Sequence, residues 1–411
     1  MHDSPDLEHK ACILNNLACA HFKNGNYLQA YSLLKKSLGV LPNTSNTENT
    51  IKIYINLASL ANEIADIKEV ESYLNKALDL VSTLDGPKND FFCAIYDEFG
   101  VLYRESVKCS EAIPFFEKAL QYAMHNTPQQ SLNTPRILDS LGLTYKIAGN
   151  YNKASELHNK ALELYTKTLE SHPNMGISYY GKALVHRSRG EDTTALQYLE
   201  TCLKIFQKYY PETHPEFAKV YNSICQVYNS QFKHVQGMQM ILKSIDIFKK
   251  NQLENHPDMA KFYNNLGLVY KGLELNDSAI KSYETGLSIL KAIYGDNYPG
   301  LAPHYNNLGV IYRRTENFRK ALENYLACAR ILEIAFGEKH PLKAETTFNN
   351  ALLFGMKQHL DAERKLLQRS NILFKCCFGP THPFTNKAKM NIQRGAMLAE
   401  SFSFDIGQPA I

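Results

Sequence analysis

The chain has 411 residues, 44% of them apolar, and its 45 Lys and Arg against 41 Asp and Glu leave a formal net charge of +4. That content supports a large continuous core, and so mild a charge excludes the concentrated basic footprint that nucleic-acid binding requires. No apolar run reaches about 18 residues, so neither a membrane span nor a signal peptide is expected. The nine cysteines include no C-x-x-C pair. Zinc, disulfides and cofactors are therefore not expected, and a reducing, cytoplasmic location is.

In chain order, a short tail over 1–8 precedes four divergent repeats expected over 9–171, opening near residues 9, 50, 91 and 133. The polar stretches Pro42–Thr47 and Asn126–Ser131 read as loops between them. What marks these segments as repeats is a register of small residues. Ala18, Ala58, Gly100 and Gly142 correspond; twelve residues on come Ala30, Val70, Ala112 and Ala154; seven further come Ser37, Ala77, Ala119 and Ala161. The same three columns continue through Ala183, Cys225, Gly267 and Gly309, then Ala195, Gly237, Ala279 and Ala321, then Cys202, Ser244, Gly286 and Cys328. Small side chains let two helix backbones approach, and a mid-helix glycine costs about 1 kcal/mol against alanine, so glycines held in register predict packing that needs them.

From residue 172 a second signal appears. His-Pro stands at His172-Pro173, His214-Pro215, His256-Pro257, His340-Pro341 and His382-Pro383, with Tyr298-Pro299 in the gap, a spacing of 42 residues throughout. Each Pro is expected in the first turn of an opening helix, where its missing N–H has no intrahelical partner. Inside the period, Tyr263-x2-Leu266-Gly267-x2-Tyr270 with Ala279-x3-Tyr283 recurs as Tyr305-x2-Leu308-Gly309-x2-Tyr312 with Ala321-x3-Tyr325. This resembles the tetratricopeptide helix–turn–helix pattern of about 34 residues, lengthened. A ninth unit from 340 keeps Ala351 and Ser370 but has Glu363 at the remaining small position. A capping helix over 383–400 and a tail over 401–411 complete the expected chain. The fold class is all-α, a right-handed superhelical solenoid of antiparallel helix pairs.

No phosphate loop, nucleophile elbow or His-Glu-x-x-His helix is present, so the chain is not expected to be an enzyme. The informative face is the helix stripe beside the first small column, which in tetratricopeptide stacks lines the concave surface. Four residues after the small position stand Phe22, Asn62, Arg104, Lys146, Arg187, Asn229, Lys271 and Arg313, the last followed by Arg314; five of these eight are basic and none is acidic. Three before it stand Asn15, Ile55, Asp97, Asp139, Tyr180, Asn222, Asn264 and Asn306, and the middle of the stripe holds Val101, Leu143, Leu184, Leu268 and Val310. Cations, amides and apolar pockets in one groove suit an extended acidic peptide with one or two large apolar anchors.

His256-Pro-x2-Ala260, Asn264-Asn265-Leu266, Tyr270, Ala279 and Tyr294-Gly295-x3-Pro299 resemble the 42-residue tetratricopeptide variant of kinesin light chains, most closely over 172–382. The resemblance implies a superhelix whose groove takes acidic, aromatic-anchored cargo peptides, with Asn222, Asn264 and Asn306 bonding the peptide backbone. Nothing before residue 9 supplies that family's N-terminal heptads, so a complete motor subunit is not expected. Two function classes follow: a cytoplasmic adaptor binding a linear protein motif, or a regulator of the bacterial tetratricopeptide phosphatase and pheromone-receptor type. The latter places a helical bundle before its repeats, and repeat columns here begin by Ala18.

Overall fold

The computed structural model describes residues 4–24, 26–41, 48–63, 67–85, 88–105, 108–125, 133–168, 172–337, 340–378, 380 and 385–393. The loops Pro42–Thr47 and Asn126–Ser131, the dipeptide His382-Pro383 and the tail 401–411 lie outside them. The described residues are helical pairs without a strand. The pairs are α1 (Ser4–Lys23) with α2 (Tyr27–Val40), α3 (Glu48–Glu63) with α4 (Ile67–Thr83), α5 (Asn89–Glu105) with α6 (Cys109–His125), and α7 (Asn133–Ile147) with α8 (Tyr151–Thr168). Then come α9 (Pro173–Ser188) with α10 (Asp192–Tyr209), α11 (Pro215–Ser230) with α12 (His234–Lys250), and α13 (Pro257–Gly272) with α14 (Asn276–Tyr294). Last are α15 (Ala302–Arg314) with α16 (Phe318–Phe336) and α17 (Pro341–Met356) with α18 (Leu360–Phe378). Residues 385–393 are also helical, and Ala388 there is buried in one cluster with Phe348 and Phe374. The chain divides into two compact units, Met1–Met259 and Ala260–Ile411.

The three small columns all lie in the core. Ala18, Ala58, Cys225, Ala30, Ala279, Ser37, Ala161 and Cys328 are fully buried, as are their counterparts elsewhere to within a few per cent. The third column sits on the backbone of the preceding helix: Ser37 Oγ donates to the Ala11 carbonyl at 2.7 Å, and Ser244 Oγ to that of Ala218 at 2.9 Å. Gly286 occupies the same register, and a Cβ there would lie 2.9 Å from the Ala260 carbonyl oxygen.

The first column shows size matching. Gly100, Gly142, Gly267 and Gly309 each face a ring sixteen residues on, Phe116, His158, Tyr283 and Tyr325 respectively. A Cβ on Gly267 would lie 2.5 Å from Tyr283 Cε1, and one on Gly309 2.4 Å from Tyr325 Cε1. Where the small residue is Ala or Cys, the same register holds Leu34, Leu74, Leu199 and Ile241, also buried. Glycine thus makes room for a ring, and a Cβ goes with an aliphatic side chain.

The His-Pro dipeptides are helix starts. Nδ1 of His172, His214, His256 and His340 accepts the backbone N–H two residues on at 3.0–3.2 Å, the task Ser or Asp more often performs. Each imidazole also packs on an aromatic ring from the helix before it: Tyr165, Tyr210, Phe248 and Phe336. Burial lowers the pKa of His172, His214 and His340, which favours the neutral ring whose nitrogen can accept. Tyr298 keeps the ring contact, with Tyr294 at 3.9 Å, but has no acceptor at that place, and the chain opens there with a 3-10 turn at Pro299–Leu301.

Turns between paired helices require a left-handed residue. Gly149 and Gly190 supply it at φ +82° and +79°, whereas Phe232, Glu274 and Glu316 adopt φ of 58°, 63° and 60°. Phe232 is 83% exposed, so its ring contributes little burial to offset that conformation. Phe232→Gly is expected to raise stability by about 0.5–1 kcal/mol, the left-handed penalty less glycine's extra unfolded-state freedom. A urea midpoint at or below that of the wild type would show that Phe232 has contacts that outweigh the strain.

Candidate interaction face

The first helices of successive repeats touch one another, α1 to α3, α3 to α5, α5 to α7, α7 to α9 and α9 to α11, and in the second unit α15 to α17. Among the described residues no two second helices pack against each other to a comparable extent. The first helices therefore form the tighter, inner layer of each unit, and their outward stripe is the inner face.

The asparagine column lies on the seam between inner helices. Asn56 Nδ2 donates to Asn15 Oδ1 at 2.9 Å, Asn307 Nδ2 to Asn264 Oδ1 at 3.0 Å, and Asn349 Nδ2 to Asn306 Oδ1 at 3.2 Å; Tyr180 and Ser223 make the equivalent contact at 3.1 Å. Asn306 is engaged further, by Thr346 Oγ1 at 3.1 Å and through its own Nδ2 by Glu345 at 3.3 Å. Asn222 is buried at 8% exposure. The column expected to bond a peptide backbone is thus an inter-repeat amide ladder, and at Asn306 both ends of the amide are engaged within the chain.

In the first unit the basic column is diverse. Arg104 pairs with its neighbour Glu105 at 3.1 Å and lies 6.0 Å from the Phe116 ring centre. Lys146 and Arg187 are half-buried near the ends of α7 and α9. Burial lowers the Arg187 pKa, with Tyr180 and Asp192 opposing. Asn229 Oδ1 accepts from His234 Nδ1 at 2.7 Å, tying α11 to the start of α12. In the second unit Lys271 is half-buried and burial lowers its pKa, the Glu345 carboxylate opposing and Arg314 adding to the shift. Arg314 Nη1 donates to the Lys271 carbonyl at 3.3 Å, and its Nη2 lies 3.8 Å from Glu274. Arg313 Nη1 lies 3.7 Å from Met356 Sδ, and its guanidinium lies beside the Tyr325 hydroxyl, where it opposes the rise that burial gives the tyrosine pKa. Leu268 and Val310 lie half-buried at the edge of the cluster around Tyr283 and Tyr325.

Counting one column misses the carboxylates. Glu98 accepts from Asn62 Nδ2 at 2.9 Å, and burial, with Asp97 beside it, pushes its carboxyl up to about 7. Burial also raises Glu63 in the first unit and Glu345 in the second. Asp97 is fully buried in an ion pair with Arg136. Glu98, Glu63 and Glu345 stand two before, five after and six before the small position, so a charge pattern taken over all inner-edge columns would have found them. The inner faces are mixed in charge.

Among the described residues no helix is long and apolar enough to cross a membrane. The tetratricopeptide repeat family model matches residues 9–83, 133–208, 258–333 and 300–370. Comparison with curated protein sequences gives no match. Among solved structures the chain is similar to a Rap protein complexed with competence and sporulation factor, at 13% identity over 94% of this chain and 99% of that one, with a TM-score of 0.61. It is similar to the apo form of RapI at 13% identity, over 69% and 98% of the two chains, with a TM-score of 0.50. Putative kinesin light chain repeats of Podosopora anserina align at 18% identity over 48% and 93%, with a TM-score of 0.37. At these identities the likeness to the two Rap structures shows the fold alone.

Proposed function

Since the chain belongs to the tetratricopeptide repeat family, we propose that it is a non-enzymatic, cytoplasmic adaptor that takes an extended acidic segment of a partner protein on the inner face of its first helices. The observation that carries this reading is the cationic group of the second unit. Lys271 and Arg313 lie one repeat apart, with Arg314 on the Lys271 carbonyl, beside the apolar Leu268 and Val310. Half-buried cations also act through a less screened field than surface lysines. Nine free thiols, four of them buried, fit a reducing compartment.

Lys271→Glu with Arg313→Glu is expected to weaken capture of the partner by more than about tenfold while leaving the helical content intact, because both cations are replaced by like charges facing an acidic segment. Wild-type binding should weaken with salt. The measurement is a titration at two salt concentrations of the segment mapped by peptide array after affinity capture. Unchanged affinity in the double reversal would move the site elsewhere. Asn306→Ala is a poor binding probe, since it would unfasten Glu345, Thr346 and Asn349.

A second reading is favoured by the likeness to the Rap protein, which extends over 94% of this chain. On that reading the repeats form a regulator that receives a signalling factor, as that Rap protein is complexed with competence and sporulation factor. A phosphatase assay on a phosphorylated partner separates the two, because an adaptor leaves the phosphate in place.

A further inference from the structure

Within the first unit, the beginning of the array returns to meet its end. Tyr27, the first residue of α2, is 5% exposed, although its counterparts Tyr151 and Phe318 are only half-buried. Its ring lies edge-on to His214 with centres 6.5 Å apart, and His214 stacks on Tyr210 at 4.1 Å. Beside it Lys219 Nζ of α11 lies 3.8 Å from Glu63 Oε2 at the end of α3 and 2.7 Å from Glu216 Oε1 on its own helix. The His214 ring also bonds the Lys23 backbone at the end of α1. Tyr27 and His214, like Glu63 and Lys219, are separated by more than 150 residues of sequence, so the repeats between them complete a turn.

The junction differs from every other contact in the unit. Neighbouring helices pack along their length, whereas among the described residues α1 to α4 do not pack as helices against α10 or α11. What joins them is a few contacts made by side chains: the edge of the Tyr27 ring, the His214 imidazole on the Lys23 backbone, and the Glu63–Lys219 ion pair with side-chain exposures of 25% and 32%. Contacts of this kind are weak singly, and a half-exposed ion pair is weaker still. The junction nevertheless closes the loop formed by the inner helices, the layer on which Arg104, Lys146 and Arg187 lie.

We propose that the Tyr27–His214 and Glu63–Lys219 contacts form a latch across the first unit, closed at rest, which parts to admit a partner segment to the inner face. This regulatory role rests on the reading of that face as the binding surface, but the latch itself can be tested without any ligand. A closed state held by so few contacts outweighs the open one by roughly tenfold to a thousandfold, which leaves a minor open population through which entry proceeds.

Hydrogen exchange followed by mass spectrometry on the full chain tests it. Lys219→Glu places a carboxylate beside Glu63 and should speed exchange over residues 26–34 by about tenfold or more, although those residues are far from 219 in sequence. Adding Glu63→Lys restores an opposite-charge pair and should return that segment toward the wild-type rate. Lys219→Met, which keeps the aliphatic stem, should give an intermediate rate and remains informative if the reversal perturbs α11 itself. Unchanged exchange over 26–34 in both Lys219 variants, or no recovery in the swap, overturns the latch. Because no partner is present, either result leaves the adaptor reading standing, and failure of the charge reversal at Lys271 and Arg313 leaves the latch standing.

Discussion

Gly267→Ala is expected to destabilise the second unit by about 1–3 kcal/mol, even though alanine is the better helix former by about 1 kcal/mol. The added methyl would lie 2.5 Å from Tyr283 Cε1 and 2.7 Å from Cδ1, closer than real Cβ contacts come. Tyr283 cannot yield easily, since its side chain is fully buried. Either the ring leaves its rotamer or α13 and α14 separate, and both disturb packing on either side. Tyr283→Leu alone should also destabilise, by about 2–4 kcal/mol, through the volume it vacates. The two together recreate the pairing that this chain uses at Ala183 and Leu199, both buried. The double variant should therefore be more stable than the sum of the two losses by about 1–2 kcal/mol. Urea unfolding followed by circular dichroism gives the cycle. A Gly267→Ala midpoint equal to the wild type's would mean that the glycine does not face the ring, and strictly additive losses would mean that the pair is not a unit.

This pairing explains why the fold was legible in the sequence. Contact between paired helices is local, repeats at fixed spacing and is limited by side-chain size, so Ala18, Gly100 and Gly267 announce their role without any knowledge of the remaining chain. The His-Pro dipeptides were likewise legible as helix starts, although their stacking on Tyr165, Tyr210, Phe248 and Phe336 needed the structure. The interaction face was legible only in outline. A helical wheel places Asn264 and Asn306 on the inner side but cannot separate a side chain facing the groove from one facing the next repeat's helix, and the amide ladder takes the second course. Contacts such as Glu63 with Lys219 depend on the accumulated rotation of the repeats between them, which no single repeat encodes.

The fourth repeat meets its glycine with an imidazole, and there the largest single loss is expected. Where other repeats set Phe116, Tyr283 or Tyr325 against the glycine, the fourth has His158, fully buried between Gly142 and Gly181. Its Nδ1 lies 2.7 Å from Asp139 Oδ1, and Ser178 Oγ donates to Asp139 Oδ2 at 2.5 Å. Burial raises the Asp139 pKa, while the bonds from His158 and Ser178 oppose that shift. The three form a buried polar group inside an apolar stack, with His158 Nε2 left without a hydrogen-bond partner, and no substrate-facing role is implied, because the serine bonds the carboxylate and not the imidazole. His158→Phe restores the ring common to the column but leaves a buried carboxyl with Ser178 as its remaining partner. Removing one side of a buried pair in this way is expected to cost about 3–5 kcal/mol. Asp139→Asn added to it should recover most of the loss, since asparagine is the residue at this register in Asn15, Asn222, Asn264 and Asn306, and its amide can still accept from Ser178. Ser178→Ala alone should cost less, about 1–2 kcal/mol. Denaturant midpoints of the three variants decide the matter: a His158→Phe loss below about 1 kcal/mol would show that the Asp139–His158 contact carries little of the repeat's stability, and a double variant no better than the single would place the loss in ring size instead of charge.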